Sequence, residues 1–147
     1  MDVNRDNFLY TLTKIRQRLF AFLEAGLAGN NIRDVPPSWG HILFVLDRKG
    51  PLTLQELADG AEKDKSTVSS VIKRLEEGGY VVKEKGKGDG RFVRIRLTAR
   101  AKRIKPLIWK ISDAMNEQLF SGLNAAEKNR LFELLGRVCD NAERMSK

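Results

Sequence analysis

The sequence predicts a mainly helical chain with one small β-hairpin, an α+β class in which two short helices and the hairpin are flanked by longer helices at both ends. Three observations predict it. Apolar residues recur at three-and-four spacing over long stretches near both termini, as amphipathic helices require. Two short segments in the middle begin with capping residues and end at a polar turn or a glycine pair. A run of alternating apolar and charged residues follows a glycine cluster, the pattern of a half-buried strand after a turn. With 147 residues, 41% of them apolar, one compact domain with a real core is expected.

Taken in order, Phe8, Leu12, Ile15, Leu19, Leu23 and Leu27 mark a first helix over residues 6–28, ended by Gly29-Asn30-Asn31. Pro36-Pro37 interrupts the chain, and Ser38 is expected to cap a short helix carrying Trp39, Ile42, Leu43, Val45 and Leu46, closed by Gly50-Pro51. Thr53-Leu54-Gln55-Glu56 reads as a capping box, in which hydroxyl and carboxylate satisfy free amides at the start of a helix over 54–61. Asp64 caps the next helix, whose core stripe is Val68, Val71, Ile72 and Leu75, and Gly78-Gly79 stops it. Tyr80 to Lys85 and Arg91 to Leu97 form the two strands of the hairpin, joined through Gly86-Lys87-Gly88-Asp89-Gly90. Thr98 caps a long helix with Ile104, Ile108, Ile111, Met115 and Leu119 on one face and Pro106 inside it. Asn124-Ala125-Ala126-Glu127 then opens a last helix with Leu131, Leu134, Leu135, Val138, Ala142 and Met145 as its stripe.

Charge is concentrated. Residues 81–105 hold ten basic groups against two acids, whereas the rest of the chain holds 17 of each sign. A basic patch confined to one element is the footprint of a polyanionic partner. No stretch approaches the roughly 20 apolar residues of a membrane span, and the N-terminal ten residues carry two acids where a signal peptide has a basic segment, so a cytoplasmic protein is expected. One cysteine, Cys139, and one histidine, His41, make no disulfide, zinc site or catalytic triad. The glycine cluster at 86–90 has neither Walker spacing nor a strand-to-helix setting, so no phosphate-cradling enzyme loop is expected. No metal or cofactor is expected.

A helix-turn-helix lays its second helix in the DNA major groove, so that helix needs one apolar face and one face of small polar and basic residues. Residues 65–77 have both. With the core centred on Val68, Val71, Ile72 and Leu75, the outer side presents Lys65, Ser66, Ser69, Ser70 and Lys73, flanked by Thr67 and Arg74. An ordinary amphipathic surface helix shows the same spacing. The basic hairpin shifts the balance, because directly after such a helix it has the place of a wing that lies along the DNA backbone and offers an arginine to the minor groove. Arg91 stands at its tip, Asp89 is placed to hold that guanidinium, and Lys87 and Arg94 add positive charge. A winged module that docks on protein partners needs no such concentration of charge.

Leu57-Ala58, Ser66-Thr67-Val68-Ser69, the segment from Leu75 to Val81, Asp89-Gly90-Arg91 and Leu97-Thr98, in this order of helices and hairpin, resemble the MarR family of transcriptional regulators over nearly the whole chain. One position departs from the family, where many members carry a basic residue at the place of Ser70. The resemblance implies a homodimer built by the first and last helices, a near-palindromic double-stranded operator, and release from DNA by a small ligand or oxidant. It implies one domain over 1–147, with a DNA-binding part at 38–98 and dimerisation helices at 1–30 and 99–147. A ligand held between the dimer helices and the winged part, as in family members, would meet Trp39, His41 and Trp109; large aromatics at helical spacing also serve as core. Cys139, beside the last apolar stripe, is expected to pack as a small hydrophobe.

Overall fold

The computed structural model describes residues 2–85 and 92–145. Its elements run α1 (Phe8–Gly29), a 3-10 turn (Pro37–Trp39), α2 (Gly40–Lys49), β1 (Leu52–Thr53), α3 (Leu54–Ala61), α4 (Lys65–Glu77), β2 (Val81–Lys85), β3 (Val93–Leu97), α5 (Ala99–Leu119) and α6 (Ala125–Met145). The mainly helical class with a small hairpin is what the structure shows. Internal contacts divide the chain into residues 1–112 and 113–147.

In the first unit, two caps foreseen from local residues hold the central helices. Thr53 Oγ1 accepts from the Glu56 amide at 3.2 Å while Glu56 Oε2 accepts from the Thr53 amide at 2.7 Å, a complete capping box. Asp64 Oδ1 accepts from the Thr67 amide at 2.7 Å. Gly79, at φ +73°, supplies the left-handed residue that turns the chain from α4 into β2. The core gathers Ile42 from α2, Leu57 from α3, Val68, Ile72 and Leu75 from α4, Tyr80, and Ile95 from β3, all essentially inaccessible to solvent.

Two elements differ from the sequence expectation. Ser38 caps nothing: Pro36 and Pro37 set a 3-10 turn first, and α2 starts at Gly40 without a side-chain cap. The hairpin is one part of a three-stranded antiparallel sheet of order β1-β3-β2, because Leu52 and Thr53 pair with Ile95 and Arg94. Along β3 the alternation is kept, with Ile95 and Leu97 buried and Arg94 and Arg96 outward. Elsewhere in this unit α1 passes close to α5 at Gly26, where a Cβ would stand 2.6 Å from Ile111 Cγ2, so only glycine fits.

In the second unit, Asn124 and Glu127 form another reciprocal cap at 2.8 and 3.0 Å, and Phe120 meets Phe132 edge-to-face at 5.2 Å. No described residue of α6 is buried. Cys139 is therefore exposed, and the expected packing of this thiol is not found within the chain. Among the described residues no helix is long and apolar enough to cross a membrane, and no cluster of acidic, His or Cys side chains is placed to hold a metal ion.

Candidate nucleic-acid interface

Helix α4 has the two faces that groove recognition demands. Val68, Ile72 and Leu75 are buried and Val71 half-buried, whereas Lys65, Ser66, Thr67, Ser69, Ser70, Lys73 and Arg74 are all exposed. Among the described residues Lys65, Lys73 and Arg74 have no ion-pair partner, so three cations on this helix are uncommitted. The hydroxyls are not equivalent. Thr67 Oγ1 donates to Asp64 Oδ2 at 2.5 Å, which turns Thr67 back toward the helix start, while Ser69 and Ser70 stay open. These bonds from the Thr67 hydroxyl and amide stabilise the ionised Asp64 carboxylate and hold its pKa below the ordinary range.

Two basic side chains of β3 are already engaged. Arg94 donates from Nη1 to the Pro51 carbonyl at 3.0 Å and lies 3.6 Å from Glu56 Oε2, strapping the sheet to the start of α3. Arg96 pairs with Glu84 of β2 at 2.5 Å, which raises its pKa. Lys87, Asp89 and Arg91 fall outside the described residues. The residues brought together are thus those of α4, with Arg94 on the adjoining sheet.

A cavity of about 680 Å³ in the first unit is lined by residues of α1, the 35–38 segment, α2, the 61–63 stretch at the end of α3, Leu97 of β3, and α5. His41 and Trp109, two of the three ligand candidates, line it. Trp39 does not line the cavity; its ring packs against the core. Phe44, which periodicity alone did not single out, bridges the site: its ring stacks near His41 at 6.3 Å and meets Trp109 edge-to-face at 6.0 Å. Lys105 and Asp47 form an ion pair of 2.7 Å in the same wall, a polar spot in a mostly apolar lining.

Comparison with known proteins places this geometry. Residues 33–91 match the sequence profile of the MarR family. Over 100 residues the chain is 32% identical to the HTH-type transcriptional regulator YcgE of Bacillus subtilis, a match covering 67% of this chain and 64% of that protein. The chain therefore spans just under two thirds of that relative's length. The fold superposes on Streptococcus pneumoniae FabT in complex with DNA, with a TM-score of 0.82 at 21% identity, over 97% of this chain and 99% of the other. It also superposes on the PcaV transcriptional regulator of Streptomyces coelicolor in complex with its natural ligand, with a TM-score of 0.79 at 22% identity, over 97% and 99%. At such identities the likeness establishes the fold.

Proposed function

We propose, from the match of residues 33–91 to the MarR family and from the geometry of α4, that the chain is a MarR-family double-stranded DNA-binding transcriptional regulator, a repressor that acts in the cytoplasm as a homodimer. One observation carries the reading: α4 buries Val68, Ile72 and Leu75 on one face and leaves Lys65, Ser69, Ser70, Lys73 and Arg74 exposed on the other, the three cations without an ion-pair partner among the described residues. Within that face the roles divide by reach. Ser66, Ser69 and Ser70 are short, lie in the first two turns, and suit close approach to base edges, while Lys73 and Arg74 lie later and reach phosphates. Thr67 contributes mainly by fixing the cap. Lys87, Asp89 and Arg91 are assigned to the wing from the sequence, with Arg91 reading the minor groove and Asp89 holding it, and Arg94 supports the wing from β3.

The domain assignment is part of the same proposal: residues 38–98 bind DNA, and residues 1–30 and 99–147 dimerise. A two-fold dimer presents two copies of α4 about one helical turn of DNA apart, which calls for a near-palindromic operator. The cavity lined by His41, Phe44 and Trp109 is the place of a small effector; the similar PcaV regulator is in complex with its natural ligand. Its volume suits a drug-sized molecule and its walls an apolar or aromatic body, with the Asp47–Lys105 pair as the polar spot in the lining. No catalytic role is assigned.

Selection from a random duplex pool tests the reading. Enrichment of an inverted repeat with half-sites about ten base pairs apart is expected; a pool that shows no enrichment overturns it.

A further inference from the structure

The exit of α4 is held by a side chain outside both the helix-turn-helix and the sheet. Arg100, in the first turn of α5, donates from Nη1 to the Gly78 carbonyl at 2.5 Å. Its Nη2 donates to Asp34 Oδ2 and to Tyr80 Oη, each at 3.0 Å. The same guanidinium stands 4.4 Å from the centroid of the Tyr80 ring, and Tyr80 Oη donates to Asp34 Oδ1 at 2.6 Å. Thr98, just before α5, adds a bond from its hydroxyl to the Gly79 carbonyl at 2.6 Å.

One planar fork thus joins three segments far apart in sequence. Carbonyls at a helix C-terminus lack intrahelical partners, and Arg100 supplies one at the point where α4 ends. A lysine at this position offers a point charge and cannot hold the same fixed set of acceptors while stacking on the ring. The Arg100–Asp34 pair is half-exposed on both sides, so as a plain ion pair it contributes little to stability. What the arrangement does supply is direction. Asp34 immediately precedes Val35, Pro36 and Pro37, and Arg100 immediately precedes Ala101, all of which line the cavity. The angle at which α4 leaves the core is tied to two walls of that cavity.

We propose that Arg100 is a positioning residue for DNA recognition, which makes no DNA contact and sets the seat of α4 by clamping its exit to Asp34, Tyr80 and the start of α5. This rests on the DNA-binding reading. A residue that positions α4 affects base readout more than phosphate contact, whereas loss of folded protein lowers binding to every duplex alike, and loss of a phosphate contact lowers the salt dependence.

The test measures the affinity of the intact chain for the duplex it selects from a random pool, and for a scrambled duplex of equal length, over a salt series. Arg100→Gln is expected to lower the ratio of the two affinities roughly 3- to 30-fold, with the salt slope unchanged. Arg100→Lys restores little of that ratio, and Asp34→Asn added to Arg100→Gln lowers it no further than Arg100→Gln alone. If Arg100→Gln does not fold, Asp34→Asn alone, which leaves the Gly78 contact in place, is read by the same ratio. An unchanged ratio, or a salt slope lower by about one, overturns the proposal while the wild-type chain still selects a duplex. A wild-type chain that selects none overturns the function and this proposal together.

Discussion

Helices α4 and α6 carry apolar stripes of the same helical spacing, and the chain treats the two oppositely. In α4, Val68, Ile72 and Leu75 are at most 1% exposed, in a helix that packs against α3 and β2. In α6, Leu134, Leu135 and Val138 are about 40% exposed. Periodicity reports that a face needs cover and says nothing of what covers it. For α4 the cover comes from the chain itself, and the opposite face is released for another partner. For α6, stripe and polar face alike remain open, which supports the proposed second copy as its cover, because a two-fold dimer buries the same patch twice.

Substitutions at the two stripes separate these roles. The largest effect is expected for Leu75→Ala, which opens a cavity in a fully buried site and costs about 2–5 kcal/mol in denaturant unfolding. An effect near zero would show that the α4 stripe is not the core. Leu135→Asp acts on association instead: sedimentation is expected to show a monomer at micromolar concentration where the wild type is a dimer, and the variant's Tm is expected not to depend on protein concentration. A variant that remains fully dimeric moves the interface away from this face of α6.

On the open face of α4, Lys73→Ala is expected to weaken binding to all duplexes similarly and to lower the salt slope by about one. Ser69→Ala is expected to change which duplex is preferred. Reversal of these two patterns in a competition assay shows a different seating of the helix in the groove.

Two ionisable groups bracket α4 and give smaller, pH-dependent effects. Burial foremost, aided by the Asp34 carboxylate, pushes the Tyr80 phenol up to about 12 from an ordinary 10.0. The folded chain then keeps a proton that the unfolded chain releases, so the contribution is complete below pH 10 and declines as pH rises to about 12. A phenolate absorbance step delayed to about pH 12 is expected, and Tyr80→Phe removes it. The Asp64 carboxylate has the opposite sign. Its lowered pKa makes the cap fully effective above the ordinary carboxylate value of 3.8 and lost only as the pH falls through the lowered one. Asp64→Ala is expected to lower Tm by a few degrees at neutral pH, and a loss that persists unchanged at strongly acid pH contradicts the cap.

What could be read from the sequence was local. The boundaries of α3 and α4 follow from Thr53, Glu56, Asp64 and the Gly78-Gly79 pair, all within a few residues of the ends they set. Strand β1 escaped notice because its two residues coincide with the start of a capping box, and so short a strand has no periodicity of its own. Ser38 was overruled by the neighbouring prolines. The cluster of Arg100, Tyr80 and Asp34 joins residues 20 and 66 positions apart, and no local pattern marks such a contact. Phe44 and the Asp47–Lys105 pair became visible only when α2 and α5 were placed side by side. The proposed interface on α4 is legible because one helix carries both its faces; the cavity is legible only in part, since α1, the 35–38 segment, α2, residues 61–63, Leu97 and α5 all contribute to its lining.

The central claim is that the open face of α4 binds DNA, and a fluorescence anisotropy titration of the intact chain against its selected duplex, repeated over a salt series, tests it most directly. The affinity is expected to fall log-linearly and steeply with salt, with a shallower line for Lys73→Ala. Binding that does not depend on salt, or that is identical for Lys73→Ala and wild type at every salt concentration, would contradict that claim.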